Sequence, residues 1–452
     1  MMRKNTKTAL QAKSKIKHVV YDRFSTFAAD DGNGTLGALE TINCTTVDGA
    51  LKAGLGMTPF YTYNEELFPY EKNEPKVYFS KQDPSTSVIH MSVITQNGIG
   101  YYLDEEESLT IEYKRYMQQM QAFESFLEDG SNILIVVGGG GLFKYEKGVE
   151  KRSDVRNIRK GVLFNNRLYL MQNVHTFLYS DVCDYFNFDA TSDDSGSINL
   201  PFNMTDVKAM VEFNGNIYVF YEFDIVEIKI AGSSREFKVS KIFYGGGRIC
   251  NDAVGKFGDK LCILAEDGVY FFDGKTTKKV FEKLNIKPMQ HSLFFGHATC
   301  AGKYLLRYQD QDGVDKSVVL YPDGEYGYYT TCFKGLGRYR GRVFCVYNNL
   351  LYNIEENVSM PSGEFRYFHS VEQDFGVKGK KTLKSLHFEG EGALAVDIYA
   401  DGERKIYKTY LSFEDGKAVL NLNMRGEKFV VRFWVFTNSS IRKMTAEVEY
   451  LE

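Results

Sequence analysis

Hairpins recurring at a near-constant interval, an abundance of Tyr and Phe, and turns built on Asn and Gly predict an all-β chain. The expected architecture is a β-propeller of about six blades with one inserted helix, followed by a small antiparallel β-sandwich. The interval carries most of the weight. "GVLFNNRLYLMQNVHTFLYSDV" (161–182) reads as apolar strand, polar turn, apolar strand, second turn and third strand. Related stretches occupy 209–229, 253–274, 298–324 and 341–356. Their two-residue turns fall at Asn165-Asn166, Asn214-Gly215, Gly258-Asp259, Gly302-Lys303 and Asn348-Asn349, where Asn and Gly accept the positive φ of a tight hairpin. Steps from Asn166 through Asn214, Gly258 and Gly302 to Asn349 are 48, 44, 44 and 47 residues. A period in the forties with three or four strands per unit is the spacing of propeller blades.

Composition agrees. The 452 residues include 31 Tyr and 34 Phe but one Trp, Trp434, and 41 Gly against 8 Pro, a mixture that favours strands joined by turns. In chain order, residues 1–50 are expected to form a basic arm and a lead-in strand, and 51–357 the propeller. Weaker copies of the repeat at 58–80 and 129–148 bring the estimate to six blades, with five to seven allowed. Between them, Tyr113, Tyr116, Met117, Met120, Phe123 and Leu127 recur at three- and four-residue steps and predict a helix over 107–130, ended by Gly130. From 358 to 452 the pattern changes to strands of five to eight residues separated by "EGEG", "DGE", "EDGK", "RGEK" and "TNSS", which suggests a separate antiparallel sandwich.

Charge and motifs exclude several classes. The formal charge is −4, which argues against a surface devoted to gripping phosphate. The seven cysteines form no C-x-x-C pair, and most lie in apolar runs such as "KLCILAEDG", so buried reduced thiols made in a reducing cytoplasm are expected rather than zinc or disulfides. The amino terminus lacks the apolar stretch of a secretion signal, and no segment approaches the roughly 18 apolar residues of a membrane span. "VVGGGGLFKY" lacks the Gly-Lys-Ser/Thr of a phosphate loop and reads as a glycine turn between strands. "DQDGVD" (310–315) has Tyr321 where a calcium loop needs a bidentate Glu, so it reads as a hairpin tip. Histidines are scattered singly and the G-x-S-x-G elbow is missing. No catalytic set, metal site or cofactor is predicted.

Three basic clusters remain. Arg3, Lys4, Lys7, Lys13, Lys15 and Lys17 form an arm without acids that could dock on an acidic partner. Arg338, Tyr339, Arg340 and Arg342 interleave an aromatic ring with arginines, a pattern suited to a nucleic-acid or subunit contact, although a solvated loop explains it as well. "VKGKKTLK" (377–384) is the third.

The repeats, with "GALETINCTTVDGALKAGLGMTPFYTY" (37–63), "VVGGGGLFKY", "GVLFNNRLYLMQNVHTFLYSDVCDYFNF" (161–188), "YGGGRICNDAVGKFGDKLCILAEDGVYFFDG" (244–274) and the closing "SSIRKMTAEVEY" (439–450), resemble the propeller-containing tail and neck proteins of short-tailed bacteriophages: tail nozzle, tail-hub and prophage stabilisation proteins. That resemblance implies a non-enzymatic virion structural protein of the tail or neck. It implies a homo-oligomeric ring, commonly a hexamer, that joins portal, adaptor and tail components and lets DNA pass on ejection. The helix and the basic arm depart from the pattern. Two other classes stay open: a carbohydrate- or receptor-binding propeller, which with one Trp would have to rely on Tyr platforms, and a propeller glycoside hydrolase, which would need two facing carboxylates.

Overall fold

The computed structural model describes residues 14–451 apart from 27–33, 63–76, 83–88, 96–97, 104–107, 115–120, 128–131, 139–140, 147–148, 190–193, 231–235, 290–294, 331–332, 362–364 and positions 285, 340 and 349. The described residues form strands and turns with no α-helix, as the composition predicts. They divide into two units, one spanning 57–355 and the other combining the residues up to 56 with those from 356 onward.

The 57–355 unit holds seven four-stranded blades among its described residues, six of them separate sheets and one, Gly296–Cys300 to Tyr326–Tyr329, a four-strand run of a larger sheet. Each of the first six is a run of consecutive strands, as in the third, where Ile158–Phe164, Arg167–Gln172, Thr176–Tyr179 and Gly196–Asn199 follow one another. The opening strands Val77–Gln82, Gln121–Phe126, Ile158–Phe164, Val207–Phe213, Ile249–Phe257, Gly296–Cys300 and Lys334–Tyr339 neighbour one another in turn, and the last returns to the first. This is a propeller-like closed round. The seventh sheet takes its outer strand, Gly56–Thr62, from the start of the unit, so the two ends of the round are held together by one ladder.

Two-sided packing explains why the repeat strands look so apolar. In Arg167–Gln172, Tyr169 and Met171 join a core with Val207, Met210, Val219 and Val226 of the next sheet, while Leu168 and Leu170 join Ile133, Ile135 and Val137 of the preceding one. Successive side chains point to opposite faces, and both faces are covered. The turns match their composition: Asn165 and Asn166 have φ of 49° and 55°, and Asn214 and Gly215 of 51° and 78°. At the fourth expected turn the positive φ falls on Ala301 and Gly302, one residue earlier than the spacing suggested. Where the third sheet's inner strands end, the Ser180 hydroxyl accepts the Leu168 N–H at 2.9 Å and donates to the Asp181 carbonyl at 2.8 Å, filling backbone valences that the ladder no longer serves.

Three expectations change. The estimate of six blades becomes seven, inside the allowed range. The helix over 107–130 is corrected: Ser108–Lys114 closes the first sheet and Gln121–Phe126 opens the second. Leu109, Ile111 and Tyr113 alternate with polar residues, so this short run satisfies a strand template too, and pairing with Gly98–Leu103 selects it. The third concerns the chain before residue 51, read as an arm and a lead-in strand. In the structure Ser14–Tyr21, Arg23–Ser25, Thr35–Ile42, Cys44–Val47 and Ala50–Ala53 complete the sandwich.

That sandwich packs two sheets. One contains Lys417–Gly426, Lys381–Glu391 and Ser440–Leu451, with Ser14–Tyr21 and Ala50–Ala53 along the latter. The other runs Thr35–Ile42, Tyr367–Ser370, Phe429–Val435, Ala393–Ala400, Glu403–Ser412. Between them lies a core of Phe24, Leu36, Phe368, Leu386, Phe388, Val396, Phe433, Met444 and their neighbours, with Phe24 edge-on to Phe368 and Phe433 at 5.8 and 5.9 Å.

Candidate functional site

The outer face of the second sandwich sheet carries the side chains that the core leaves over. Along Phe429–Val435 the core takes residues 429, 431, 433 and 435, so Arg432 and Trp434 stand on the opposite face. Alternation along Ala393–Ala400 likewise puts Ala395, Asp397 and Tyr399 there. Strand pairing aligns them in rows. Tyr410, Ala395, Trp434 and Tyr367 are in register across four strands, and beside them Asp397, Arg432 and His369 form a second row.

Ala395 is the one small side chain in the aromatic row, so a depression opens between Tyr410 and Trp434. It is a cleft of about 280 Å³, lined also by Phe365, Phe436, Lys408, Arg366, Met360, Ser359 and Thr437, at the small end of ligand pockets. Phe365 meets Trp434 edge-on at 5.2 Å, Tyr367 lies 5.6 Å from it, and Tyr410 stacks on Phe436 at 5.9 Å and 17°. Tyr410 and Phe365 are 69% and 59% exposed, which leaves their rings open to a ligand. The indole N–H of Trp434 is buried with no acceptor among the described residues.

Local hydrogen bonds fix the walls. The Asn43 side-chain amide donates to the Phe365 carbonyl at 2.9 Å, and the Val435 N–H donates to the Arg366 carbonyl at 2.9 Å. The buried Arg366 guanidinium donates to Thr437 Oγ1 at 2.8 Å and to the Val358 carbonyl at 2.6 Å. Lys408 is placed differently. Pairing between Ala393–Ala400 and Glu403–Ser412 is irregular on both sides of Ile398, and Lys408 adopts φ of 39°. That conformation costs a Lys about 1 kcal/mol, and a fully buried carboxylate holds it: Asp397 Oδ1 accepts the Lys408 N–H at 2.6 Å. The bulge aims the side chain so that Nζ sits 4.2 Å over the Trp434 ring and 4.6 Å over Phe365.

The second row sets the local electrostatics. Burial, and then the Arg432 guanidinium, push the His369 pKa down, with Glu40 and Asp397 opposing. Burial pushes the Tyr367 phenol up to about 12, helped by the 2.8 Å hydrogen bond it donates to Glu40 and opposed by Arg432. The lining itself holds two cations, Arg366 and Lys408, and no carboxylate. Such an arrangement can hold a flat ring with polar edges, because aromatic faces meet its apolar side and hydroxyls and cations meet its rim.

None of the residues singled out from sequence lines this cleft. Arg338 and Arg342 lie exposed on a hairpin of the seventh sheet in which Tyr339 pairs with Arg342, and Arg340 falls outside the described residues. Lys15 and Lys17 belong to the strand Ser14–Tyr21, Lys17 donating to the Gly376 carbonyl at 3.0 Å, while Arg3, Lys4, Lys7 and Lys13 lie outside the described residues. In the 377–384 cluster Lys381 is buried against the Glu427 carbonyl, a structural role. "VVGGGGLFKY" is a hairpin pairing Gly138 with Gly141, and at "DQDGVD" Asp310 Oδ1 accepts the Asp312 and Val314 N–H groups of a hairpin tip, both as expected. Cys44, Cys250, Cys262 and Cys345 are buried and outside any disulfide, and burial raises the pKa of the first three. The cleft residues were missed because only strand pairing brings them together. The one local signal was Trp434 itself, on the outward parity of "FVVRFWV".

No family model matches the chain, and no curated protein matches it. Solved structures similar to it include the extracellular domain of a B. thetaiotaomicron one-component system, with 9% identity, 86% of this chain and 59% of that chain covered, and a TM-score of 0.45. A second, described as the extracellular domain of a hybrid two-component system of the same organism, gives 10% identity, 80% and 48% coverage, and a TM-score of 0.43. This chain therefore spans roughly half of the chains it resembles, and likeness of this degree carries no argument about a ligand. These neighbours are domains of a bacterial signalling protein, not tail or neck components, and neither a family model nor a curated relative supports a phage origin. The phage family assignment, the virion structural role as a DNA conduit and the virion location are corrected accordingly.

Proposed function

We propose that this chain is a non-catalytic binding protein that takes a sugar ring of a carbohydrate in the sandwich cleft. The observation that carries this reading is the row Tyr410, Ala395, Trp434, in which a small residue between two aromatics leaves a ring-sized slot. A pyranose has an apolar C–H face and a hydroxyl rim. Tyr410, Phe436 and Phe365 supply apolar surface for the face, and Ser359, Thr437 and Arg366 supply polar groups for the rim. Glycosidic cleavage needs two carboxylates about 5–9.5 Å apart, and the cleft's lining offers cations instead.

The test is glycan-array screening of the full chain followed by calorimetry on the best oligosaccharide. Tyr410→Ala is expected to weaken binding by about 2 kcal/mol, roughly thirtyfold, at an unchanged melting temperature. Ala395→Leu, which fills the slot, is expected to abolish it. The reading is overturned if no glycan binds, or if both variants bind like the parent chain. Hydrolysis of the bound oligosaccharide on long incubation would overturn its non-catalytic part.

A further inference from the structure

Lys408 is an uncommitted cation. Its ammonium group has three N–H donors, yet among the described residues it has neither a hydrogen-bond acceptor nor a carboxylate partner; its neighbours are the ring faces of Trp434 and Phe365 and, farther off at 5.9 Å, that of Tyr407. Aromatic faces attract a cation without neutralising it. Arg366, the other cation of the lining, already spends donors on Thr437 and Val358. The groups behind the wall do not supply the missing anion. Asp397 directs Oδ1 to the Lys408 backbone and stands in register with Arg432, and Glu40 accepts from Tyr367. His369 beside them is held towards its neutral form by burial and Arg432.

Position argues in the same direction. An edge-strand Lys in regular pairing would extend into water, whereas here a bulge in an uncommon backbone conformation, tied to a buried carboxylate, turns the side chain over the wall of the cleft. A fold that maintains such a device places one positive charge beside the sugar slot. We infer that the ligand is an acidic sugar, a hexuronate residue whose ring packs on Tyr410 while its carboxylate accepts hydrogen bonds from the Lys408 ammonium. This inference rests on the carbohydrate reading above and specifies its ligand class.

The experiment measures binding of the full chain to a tri-uronate oligosaccharide and to its neutral methyl ester, by calorimetry at low salt and in 0.5 M NaCl. The free acid is expected to bind at least tenfold more tightly than the ester, with the difference shrinking in salt because the contact is ionic. Lys408→Gln should bring the acid down to the level of the ester, and Lys408→Arg should restore most of the preference. Equal binding of acid and ester by the parent chain overturns the acidic-sugar inference and leaves the carbohydrate reading standing. A preference that survives Lys408→Gln overturns the role of Lys408. Absence of binding to acid, ester and every other glycan overturns both. Should Lys408→Gln fail to fold, the acid–ester comparison and the Lys408→Arg variant still decide.

Discussion

At the scale of single residues, the second row of the sandwich face makes a pH-dependent contribution to stability. His369 lies between the Arg432 guanidinium, with Nδ1 and Nη2 3.4 Å apart, and the Tyr399 ring at 5.8 Å, with Glu40 and Asp397 as the nearby acids. Burial and Arg432 lower its folded pKa, so the unfolded chain takes up the proton first as pH falls. The stability that neutral His369 contributes is therefore present above the unfolded value of about 6.5 and is lost as pH drops through the folded value. Thermal melts at pH 7.5 and pH 5 should show the parent chain losing more stability than His369→Gln. Equal losses would remove His369 as the cause.

At the scale of elements, the repeat is a hairpin whose turn chemistry decides its register, and one copy departs from the rest. Asn214-Gly215 and Ala301-Gly302 occupy the same turn, with φ of 51° and 78° in the former and 48° and 75° in the latter. Ala has no side-chain dipole to offset the left-handed conformation that Asn tolerates. Ala301→Asn is therefore expected to stabilise the chain by about 0.5–1 kcal/mol, read as a rise in the urea midpoint, and a fall would show that the turn is held by other contacts. The same reasoning explains why the turns were legible in the sequence to within a residue while the strands at Ser108–Lys114 and Gln121–Phe126 were not. A turn's φ requirement is local and selects Asn or Gly directly. A short run of alternating apolar and polar residues satisfies helix and strand templates alike until a partner strand chooses between them.

At the scale of the whole molecule, the strand Gly56–Thr62 closes the seven-blade round. Met57 is buried there, with Sδ 3.3 Å from Cys345 Sγ, Phe60 lies edge-on to Phe344 at 5.2 Å, and Thr58 donates to Glu355 at 3.1 Å. Closure couples the first and last sheets, so damage at this seam is felt through the round. Met57→Ala is expected to cost about 2–4 kcal/mol in urea unfolding, and a cost under about 0.5 kcal/mol would mean that the ladder closes the round without help from this side chain. The sequence by itself determined the all-β class, the hairpin repeat and the sandwich at the end of the chain, because strand alternation and turn propensity act over a few residues. Tertiary structure decided the seventh sheet, the return of residues 14–53 to complete the sandwich, and the cleft. Each depends on pairing between segments hundreds of residues apart: Ser14 with Leu451, Gly56–Thr62 in the sheet of Leu350–Glu355, and the Asn43 amide on the Phe365 carbonyl. Tyr410, Ala395 and Trp434 stand in one row because three strands share a register, and register is set by the buried face of the sheet, where the cleft residues are absent.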